Sequence, residues 1–300
     1  MSGRAELRGC FTVYGRPLSR SGCPWDRGAA SVEGVGSRVW RRWGAVVVVA
    51  VFLPPLALLV SGSLHRPGLP PPTTPDLVPS PVSVDGYRLA AELGGLVRAT
   101  VNSLLVCAVA VPLSVVVASM AGFAMARLPR RVAGWVAALS LVALMVPAVA
   151  LLVPRFAVFR VLGLTDTLVP LVAPALIAGS PLFPLVYYLA FRAVPGELWD
   201  ACAMEDLSPL RTWWRVGMPL VRPATAGTAA LTFVLTWSNF LDPLVFLYDR
   251  DLFTLPLALR SLAALDAADF PVFLAGAVVA TVPALVVFVV AQRELKGVPR

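Results

Sequence analysis

The sequence TVNSLLVCAVAVPLSVVVASMAGFAMA, residues 100–126, contains no charged side chain. A helix that crosses a bilayer needs about 20 predominantly apolar residues, so this stretch predicts a membrane-spanning helix. Five more segments qualify or nearly qualify by the same measure: 43–62, 133–153, 170–191, 224–242 and 272–291. The sequence therefore predicts an all-α integral membrane protein with six transmembrane helices.

The overall composition agrees with this fold class. Of the 300 residues, 58% are hydrophobic and 14% are charged, whereas a soluble domain has about 25% charged residues. The formal net charge of +8 does not indicate a nucleic-acid binder, because the arginines form short clusters between apolar segments. We expect membrane lipid around the chain and no nucleic-acid partner.

The cysteines and the histidine do not form a metal site. Cys10, Cys23, Cys107 and Cys202 make no Cys-x-x-Cys pair, and His65 is the only histidine. Four cysteines in such different parts of the chain also argue against a disulfide framework. We expect no metal, no cofactor and no catalytic residue.

The flanking regions differ in composition from the apolar segments. Residues 1–42 are rich in Gly, Arg and Ser, which predicts a disordered cytoplasmic arm, or sequence upstream of a misassigned start codon. A signal peptide is not indicated, because the first apolar stretch begins only near Gly44. Residues 43–300 form the predicted transmembrane domain, in which the Pro-rich loop 63–99 is expected to be extended.

The distribution of charge predicts the orientation. With a cytoplasmic N-terminus, the inside segments 1–42, 127–131, 192–222 and 293–300 hold 18 basic and 8 acidic residues, and the rest of the chain holds 7 and 9. An excess of Lys and Arg on the cytoplasmic side is the usual pattern of membrane proteins. We predict a multi-pass protein of the plasma membrane with both termini in the cytoplasm.

The loop between the fourth and fifth predicted spans, residues 192–223, is unusually polar and patterned. Pro195 and Glu197 suit the first turn of a helix, and Ser208 and Pro209 suit the start of a second one. The pattern predicts two short helices joined by a corner, the second ending at Met218-Pro219. Each helix is predicted to have one apolar face. In the first helix this face is formed by Leu198, Ala201 and Cys202, and in the second by Leu210, Trp213 and Trp214. A hairpin on the lipid surface and a docking site for another protein explain this pattern equally well.

This loop resembles the EAA loop of binding-protein-dependent ABC importer permeases. That pattern reads Pro-x-Glu-Leu-x-Glu-Ala-Ala-x-x-Asp-Gly-Ala-Ser/Thr, with Leu-Pro-Leu-x-x-Pro further on. The matching residues are Pro195, Glu197, Leu198, Ala201, Ser208, Pro219, Leu220 and Pro223, with Asp200, Cys202 and Glu205 at the family's Glu, second Ala and Asp. Asp206 departs from the family's Gly, at a position that often needs a left-handed backbone; Asp tolerates that region better than most residues.

Weaker motifs extend the resemblance over about residues 98–298 and are similar to the carbohydrate subclass. They are Asn102-Ser103-Leu104 and the runs 121–127, 163–167, 237–240 and 292–297. The resemblance implies the type I ABC importer (MetI-like) permease fold and a MalG-like, carbohydrate-type component. It also implies three kinds of partner: a second homologous permease, two cytoplasmic ATPase subunits and an extracytoplasmic solute-binding protein.

The coupling role that the resemblance implies falls on the loop. The candidate residues are Glu197, Asp200, Ala201, Cys202, Glu205, Asp206, Leu207, Ser208, Leu210 and Trp213. Among them, Leu207, Ser208, Leu210 and Trp213 are the expected ATPase contacts, and Asp200 and Glu205 are expected to hold the loop's geometry. The chain has no Gly-x-x-x-x-Gly-Lys-Ser/Thr motif, and its one lysine is Lys296. ATP hydrolysis is therefore expected on another chain.

Substrate residues are harder to assign. Asn239 is a candidate for lining the substrate path or for bonding a neighbouring helix, and Asp242 is better explained as marking a helix end. The nearest alternative function is a permease for peptides, polyamines or phosphonates. A secondary transporter would show intramembrane acids, histidine relays or repeats, and a scaffold or sensor would leave the loop unexplained.

Overall fold

The computed structural model describes residue 43 and residues 50–69, 81–263 and 269–296, and their regular structure is helical throughout. The arm predicted over 1–42 lies outside these residues. The chain divides into two compact units, residues 1–57 and 58–300. In the first unit, the described residues 50–57 are helical; all helices after α1 belong to the second.

The helices are numbered in chain order. They are α1 (Ala50–Ser63), α2 (Asp85–Leu93), α3 (Leu96–Arg127), α4 (Arg130–Leu144), α5 (Leu152–Val161), α6 (Val169–Val172), α7 (Leu182–Arg192), α8 (Gly196–Met204), α9 (Pro209–Thr212), α10 (Met218–Leu220), α11 (Arg222–Trp237), α12 (Leu241–Phe246), α13 (Leu255–Leu262) and α14 (Phe270–Lys296). Short 3-10 segments lie at Ala148–Leu151, Ala173–Ile177 and Arg250–Leu252, and a π-helical turn lies at Trp213–Gly217.

Three helical stretches in the described part of the chain are long and apolar enough to cross a membrane. They are Leu96–Arg127, Val169–Arg192 and Phe270–Gln292, and a fourth is added if Arg130–Leu144 and Ala148–Val161 count as one broken span. The all-helical fold class is confirmed. The number of six spans stays a prediction, because α1 and α11 are shorter than a full span within the described residues.

The third predicted span, 133–153, is broken rather than one continuous helix. Helix α4 ends at Leu144, and the following helical arm leaves at an angle of 85°. Pro147 lies at the break with extended backbone (ψ 129°). Proline lacks the N–H of a continuing helix and disfavours helical backbone in the residue before it, so the segment bends here.

The fifth predicted span, 224–242, also divides. Helix α11 ends at Trp237 and Asp242 lies in the separate helix α12. Pro243 cannot donate the N–H that would bond the carbonyl of residue 239, which favours a break at this point. In the fourth span, 170–191, the prolines predicted irregularity, and the structure shows a 3-10 segment followed by left-handed backbone at Ala178 (φ 67°).

The loop 63–99 was expected to be extended, but residues 85–93 form helix α2. The Tyr87 hydroxyl of this helix lies 2.7 Å from the Ser63 hydroxyl. Ala90 packs in a buried cluster with Val272 of α14. Most of the loop's prolines fall in 70–80, outside the described residues.

The long helix α3 forms the centre of the bundle. It packs against α7 and α11, and α11 packs in turn against α14. The end of the bundle that carries Arg127 and Arg192 is called the loop end here, because α8 follows α7 there. The opposite end carries Leu96 of α3 and the segment 248–254.

The closest approach of α3 and α7 depends on Gly122. A Cβ atom at this position would lie 2.4 Å from Cβ of Tyr187 and 2.8 Å from the carbonyl oxygen of Pro184. We expect Gly122→Ala to lower the free energy of unfolding by about 1–3 kcal/mol through overpacking, measured by thermal unfolding of the purified protein in detergent. Gly134→Ala, which meets nothing within 4 Å on α4, is the matched control. Equal melting temperatures for the two variants would contradict the close packing.

Candidate functional site

The corner between α8 and α9 is a C-capping motif closed by backbone hydrogen bonds. The N–H of Leu207 donates to the carbonyl of Cys202 (3.1 Å), and the N–H of Asp206 donates to the carbonyl of Ala203 (3.2 Å). These two bonds, with a left-handed residue between them, define a Schellman motif. Asp206 is that residue, with φ 51°. The expected need for left-handed backbone at Asp206 is therefore confirmed.

The backbone at Asp206 predicts how substitutions rank. A β-branched side chain is strained at positive φ, so Asp206→Val should lower the free energy of unfolding by about 1–2 kcal/mol. Asp206→Gly should keep or raise it. Glu205→Val, at φ −84°, is the control and should change little. The stability of all three variants is measured by thermal unfolding in detergent. Equal losses of stability for Asp206→Val and Glu205→Val would contradict a left-handed backbone at Asp206.

Helix α9 begins where the sequence predicts. The Ser208 hydroxyl accepts a hydrogen bond from the N–H of Arg211 (3.4 Å), and Pro209 occupies the first helical position. The helix does not end at Met218-Pro219 as predicted. Helical backbone continues from α9 through the π-helical turn and α10 to Leu220, and Val221 (ψ 22°) separates it from α11.

The π-helical turn begins with two tryptophans that were expected to share a face but differ in burial. Trp213 is 6% exposed and packs with Phe191 and Val221 in the core, whereas Trp214 and Leu210 are each 60% exposed. Consecutive residues of a helix point in different directions, so only one of the two tryptophans faces the core. Gly217 lies inside the same turn, where a Cβ atom would be 3.0 Å from Cε1 of Phe191.

The outward surface of the corner combines apolar and charged side chains. Its exposed apolar residues are Leu198, Met204, Leu210 and Trp214. The predicted residues Glu197, Asp200, Ala201, Glu205, Asp206 and Ser208 are also exposed, Leu207 is partly buried and Cys202 is buried. Arg211 and Arg215 are exposed on the α9 side. The corner therefore exposes large apolar side chains, with acidic groups on the α8 side and basic groups on the α9 side.

The carboxylates of Asp200 and Glu205 have no hydrogen-bond or ion-pair partner among the described residues. The corner is held by the backbone bonds given above. The role predicted for these two acids in holding the loop stays a prediction.

A second polar cluster lies at the opposite end, around Asn239. Its amide donates to Oδ2 of Asp242 (3.0 Å), and the N–H of Asp242 donates back to Oδ1 of Asn239 (3.2 Å). Arg155 donates to both carboxylate oxygens of Asp242 (3.2 Å each) and to the carbonyl of Pro170 (2.9 Å). The cluster joins α5, α6 and α12.

Asn239 also borders a small cavity with Ser103, Thr236 and Thr254. Its volume is about 10 Å³, close to the space of one water molecule and far too small for a sugar ring. The role of Asn239 in a substrate path therefore stays a prediction.

The turn at Asp166 ties two segments of the same end together. Its carboxylate accepts hydrogen bonds from the N–H groups of Asp249 (3.0 Å) and Tyr248 (2.9 Å), and these bonds hold the pKa of Asp166 below its usual 3.8. The ionised Asp166 carboxylate therefore stabilises the folded state at neutral pH. This contribution is lost as the pH falls through the lowered pKa that Asp166 has in the folded state.

Residues 114–293 match the sequence profile of the family described as binding-protein-dependent transport system inner membrane component. The match covers more than half of the chain and includes α7, the α8–α9 corner and α11. The chain belongs to this family.

Known relatives of this permease include sugar transport components. It is 31% identical over 216 residues to the arabinooligosaccharides transport system permease protein AraQ of Halalkalibacterium halodurans, covering 72% of this chain and 77% of that protein. It is 28% identical over 267 residues to the trehalose transport system permease protein SugB of Mycobacterium tuberculosis, covering 87% and 96%.

The fold agrees with a solved transporter. A bacterial ABC transporter involved in the import of the acidic polysaccharide alginate superposes with a TM-score of 0.67 at 18% identity, over 93% of this chain and 99% of that one. The permease thus has the type I importer fold that its sequence resembles, and its family is that of membrane components of transport systems.

Sequence reasoning missed two features of the permease. Arg155 lies between the predicted spans 133–153 and 170–191, and its pairing with an aspartate 87 residues away was not predicted. The inward contacts of Trp199 were also missed, because the loop was interpreted only for its outward surface. For Arg155, the sequence signal was its position as a lone arginine in the apolar run 149–159.

Proposed function

We propose that this permease is a subunit of an ATP-driven importer of sugars or oligosaccharides, driven by a separate ATPase that docks on the α8–α9 corner. The observation that carries the proposal is the outward surface of that corner. Leu210 and Trp214 are large apolar side chains that stay mostly exposed in the described chain. Apolar side chains at the centre of a patch with a charged rim are typical of protein interfaces.

The surface charge favours a protein partner over a lipid surface. Glu197, Asp200, Glu205 and Asp206 are all exposed on or beside α8. An amphipathic helix that lies on an anionic membrane carries mainly Lys and Arg on its polar face. The corner combines four exposed acids with exposed Arg211 and Arg215, so it lacks such a basic face, and its mixed charges suit a docked protein with complementary charges.

The remaining assembly follows from the family. A binding-protein-dependent system implies an extracytoplasmic solute-binding protein, and we propose two cytoplasmic ATPase subunits and a second homologous permease beside it. Six spans in the plasma membrane, with both termini and the α8–α9 corner in the cytoplasm, complete the arrangement. Closing of the ATPase pair would move the two docked corners together and switch the bundle between inward-facing and outward-facing states.

The proposed cargo rests on the relatives named for arabino-oligosaccharides and trehalose. Uptake of labelled trehalose and arabino-oligosaccharides should be compared between cells with and without the gene for this chain. We expect deletion to abolish uptake of at least one of these sugars and to leave uptake of a labelled dipeptide and of putrescine unchanged. Loss of dipeptide or putrescine uptake alone would show that the cargo is not a sugar.

A further inference from the structure

Trp199 is the aromatic side chain of α8 that turns toward the bundle. Its neighbours Leu198 and Asp200 are exposed, whereas Trp199 is half-buried. Its indole ring lies edge-on to Phe123 of α3, with 5.6 Å between ring centroids, and to Phe191 of α7 at 6.3 Å. Edge-to-face pairs at these distances are favourable beyond the area they bury.

Arg127, at the end of α3, completes this cluster. Its guanidinium carbon lies 4.3 Å from the ring centroid of Phe123 and 5.7 Å from that of Trp199. Among the described residues Arg127 has no carboxylate partner, so its charge is placed by the rings. A guanidinium within about 6 Å of a ring centroid is attracted to the ring face. Phe123, Arg127, Phe191 and Trp199 are called the aromatic joint below.

The chain connectivity gives the aromatic joint a particular importance. Helix α8 follows α7 after only three residues, 193–195, so α7 is linked to it covalently. Helix α3 has no such link and meets α8 through Trp199. The other inward residue of α8 is Cys202, which is much smaller. The π-helical turn also touches α3, because Trp213 is buried in the same cluster as Phe123. The aromatic joint is the contact by which α8 itself meets α3, the centre of the bundle.

We propose that Trp199 and Arg127 are positioning residues that carry movement of the docked corner to α3. The inference rests on the proposed docking of an ATPase at this corner. Rigid aromatic packing makes α8 and the loop end of α3 move as one body when the ATPase closes. Without Trp199, α8 would still follow the ATPase, and α3 would lag behind.

The test is a distance between spin labels on α8 and α3 in the assembled complex. The labels are attached at Met204→Cys and Met120→Cys, both exposed positions, after the four native cysteines have been replaced by alanine. Distances are recorded before and after the complex is trapped with Mg-ATP and vanadate. With Trp199 present we expect an unchanged distance; with Trp199→Ala we expect a shift or broadening of more than about 2 Å.

Two variants serve as controls. Trp199→Phe keeps an aromatic ring and should keep the distance fixed, as should Trp135→Ala, which removes an exposed indole on α4. An unchanged distance in a trapped Trp199→Ala complex that retains its ATPase would overturn the proposal, since a merely structural tryptophan would lower only the melting temperature. If Trp199→Ala does not assemble, Arg127→Gln is measured under the same criteria. Absence of the ATPase from the unmodified complex would instead refute the docking on which the proposal rests.

Discussion

Leu210→Asp should release the ATPase from the purified complex while the permease itself stays folded. Leu210 is 60% exposed and belongs to none of the buried clusters, so the fold does not depend on it. If the ATPase covers this side chain, the substitution buries an unpaired charge in the interface. Such a change costs several kcal/mol. A loss of 2 kcal/mol or more would weaken binding by roughly 30-fold.

The measurement is the amount of ATPase recovered with affinity-purified permease. Val84→Asp is the matched control, because it places the same charge at an exposed valine beside α2, at the opposite end of the bundle. Its ATPase recovery should equal that of the unmodified permease. Trp213→Ala provides a second comparison: as a core residue it should lower the melting temperature. Normal ATPase recovery with Leu210→Asp would show that docking does not use this surface.

Asp242→Ala is expected to have the largest effect on stability. The Asp242 and Arg155 side chains are 13% and 27% exposed, so removing the carboxylate leaves a largely buried guanidinium with the Pro170 carbonyl and the Phe246 ring as partners and no opposite charge. Breaking a buried pair on one side costs 3–5 kcal/mol. We expect about 3 kcal/mol here, because Arg155 keeps some access to solvent. Thermal unfolding in detergent is the measurement.

The control for this prediction is an exposed ion pair in the same chain. Arg88 and Glu92 are 79% and 59% exposed, so Glu92→Ala should cost about 0.5 kcal/mol or less. The double variant Arg155→Met/Asp242→Leu should recover most of the stability lost in Asp242→Ala, since it leaves no charge unpaired. Similar losses for Asp242→Ala and Glu92→Ala would mean that the Arg155–Asp242 pair does not join α5 to α12.

The predictable parts of this molecule depend on local chemistry. Ser208-Pro209 starts a helix because the hydroxyl caps the N–H of Arg211 and proline needs no N–H partner there. The left-handed backbone of Asp206 follows from ending a helix at a tight corner. The long apolar helices follow from the length of their apolar runs.

The parts that sequence reasoning missed depend on packing between distant segments. The pairing of Arg155 with Asp242 requires knowing that α5 and α12 are neighbours, although they are far apart in the chain. The burial of Trp213 and the exposure of Trp214 depend on how this helix packs against Phe191 and Val221. The bend at Pro147 is local, but proline is tolerated inside membrane helices, so the residue alone did not decide between a kink and a break.

The most direct test of the central claim is sugar uptake by proteoliposomes that contain the purified complex and its solute-binding protein. The sugar is the one identified by the cellular uptake experiment. We predict uptake only when ATP is trapped on the side of the α8–α9 corner, and no uptake in complexes that carry Leu210→Asp. Uptake driven by a proton or sodium gradient without ATP would contradict an ATP-driven importer.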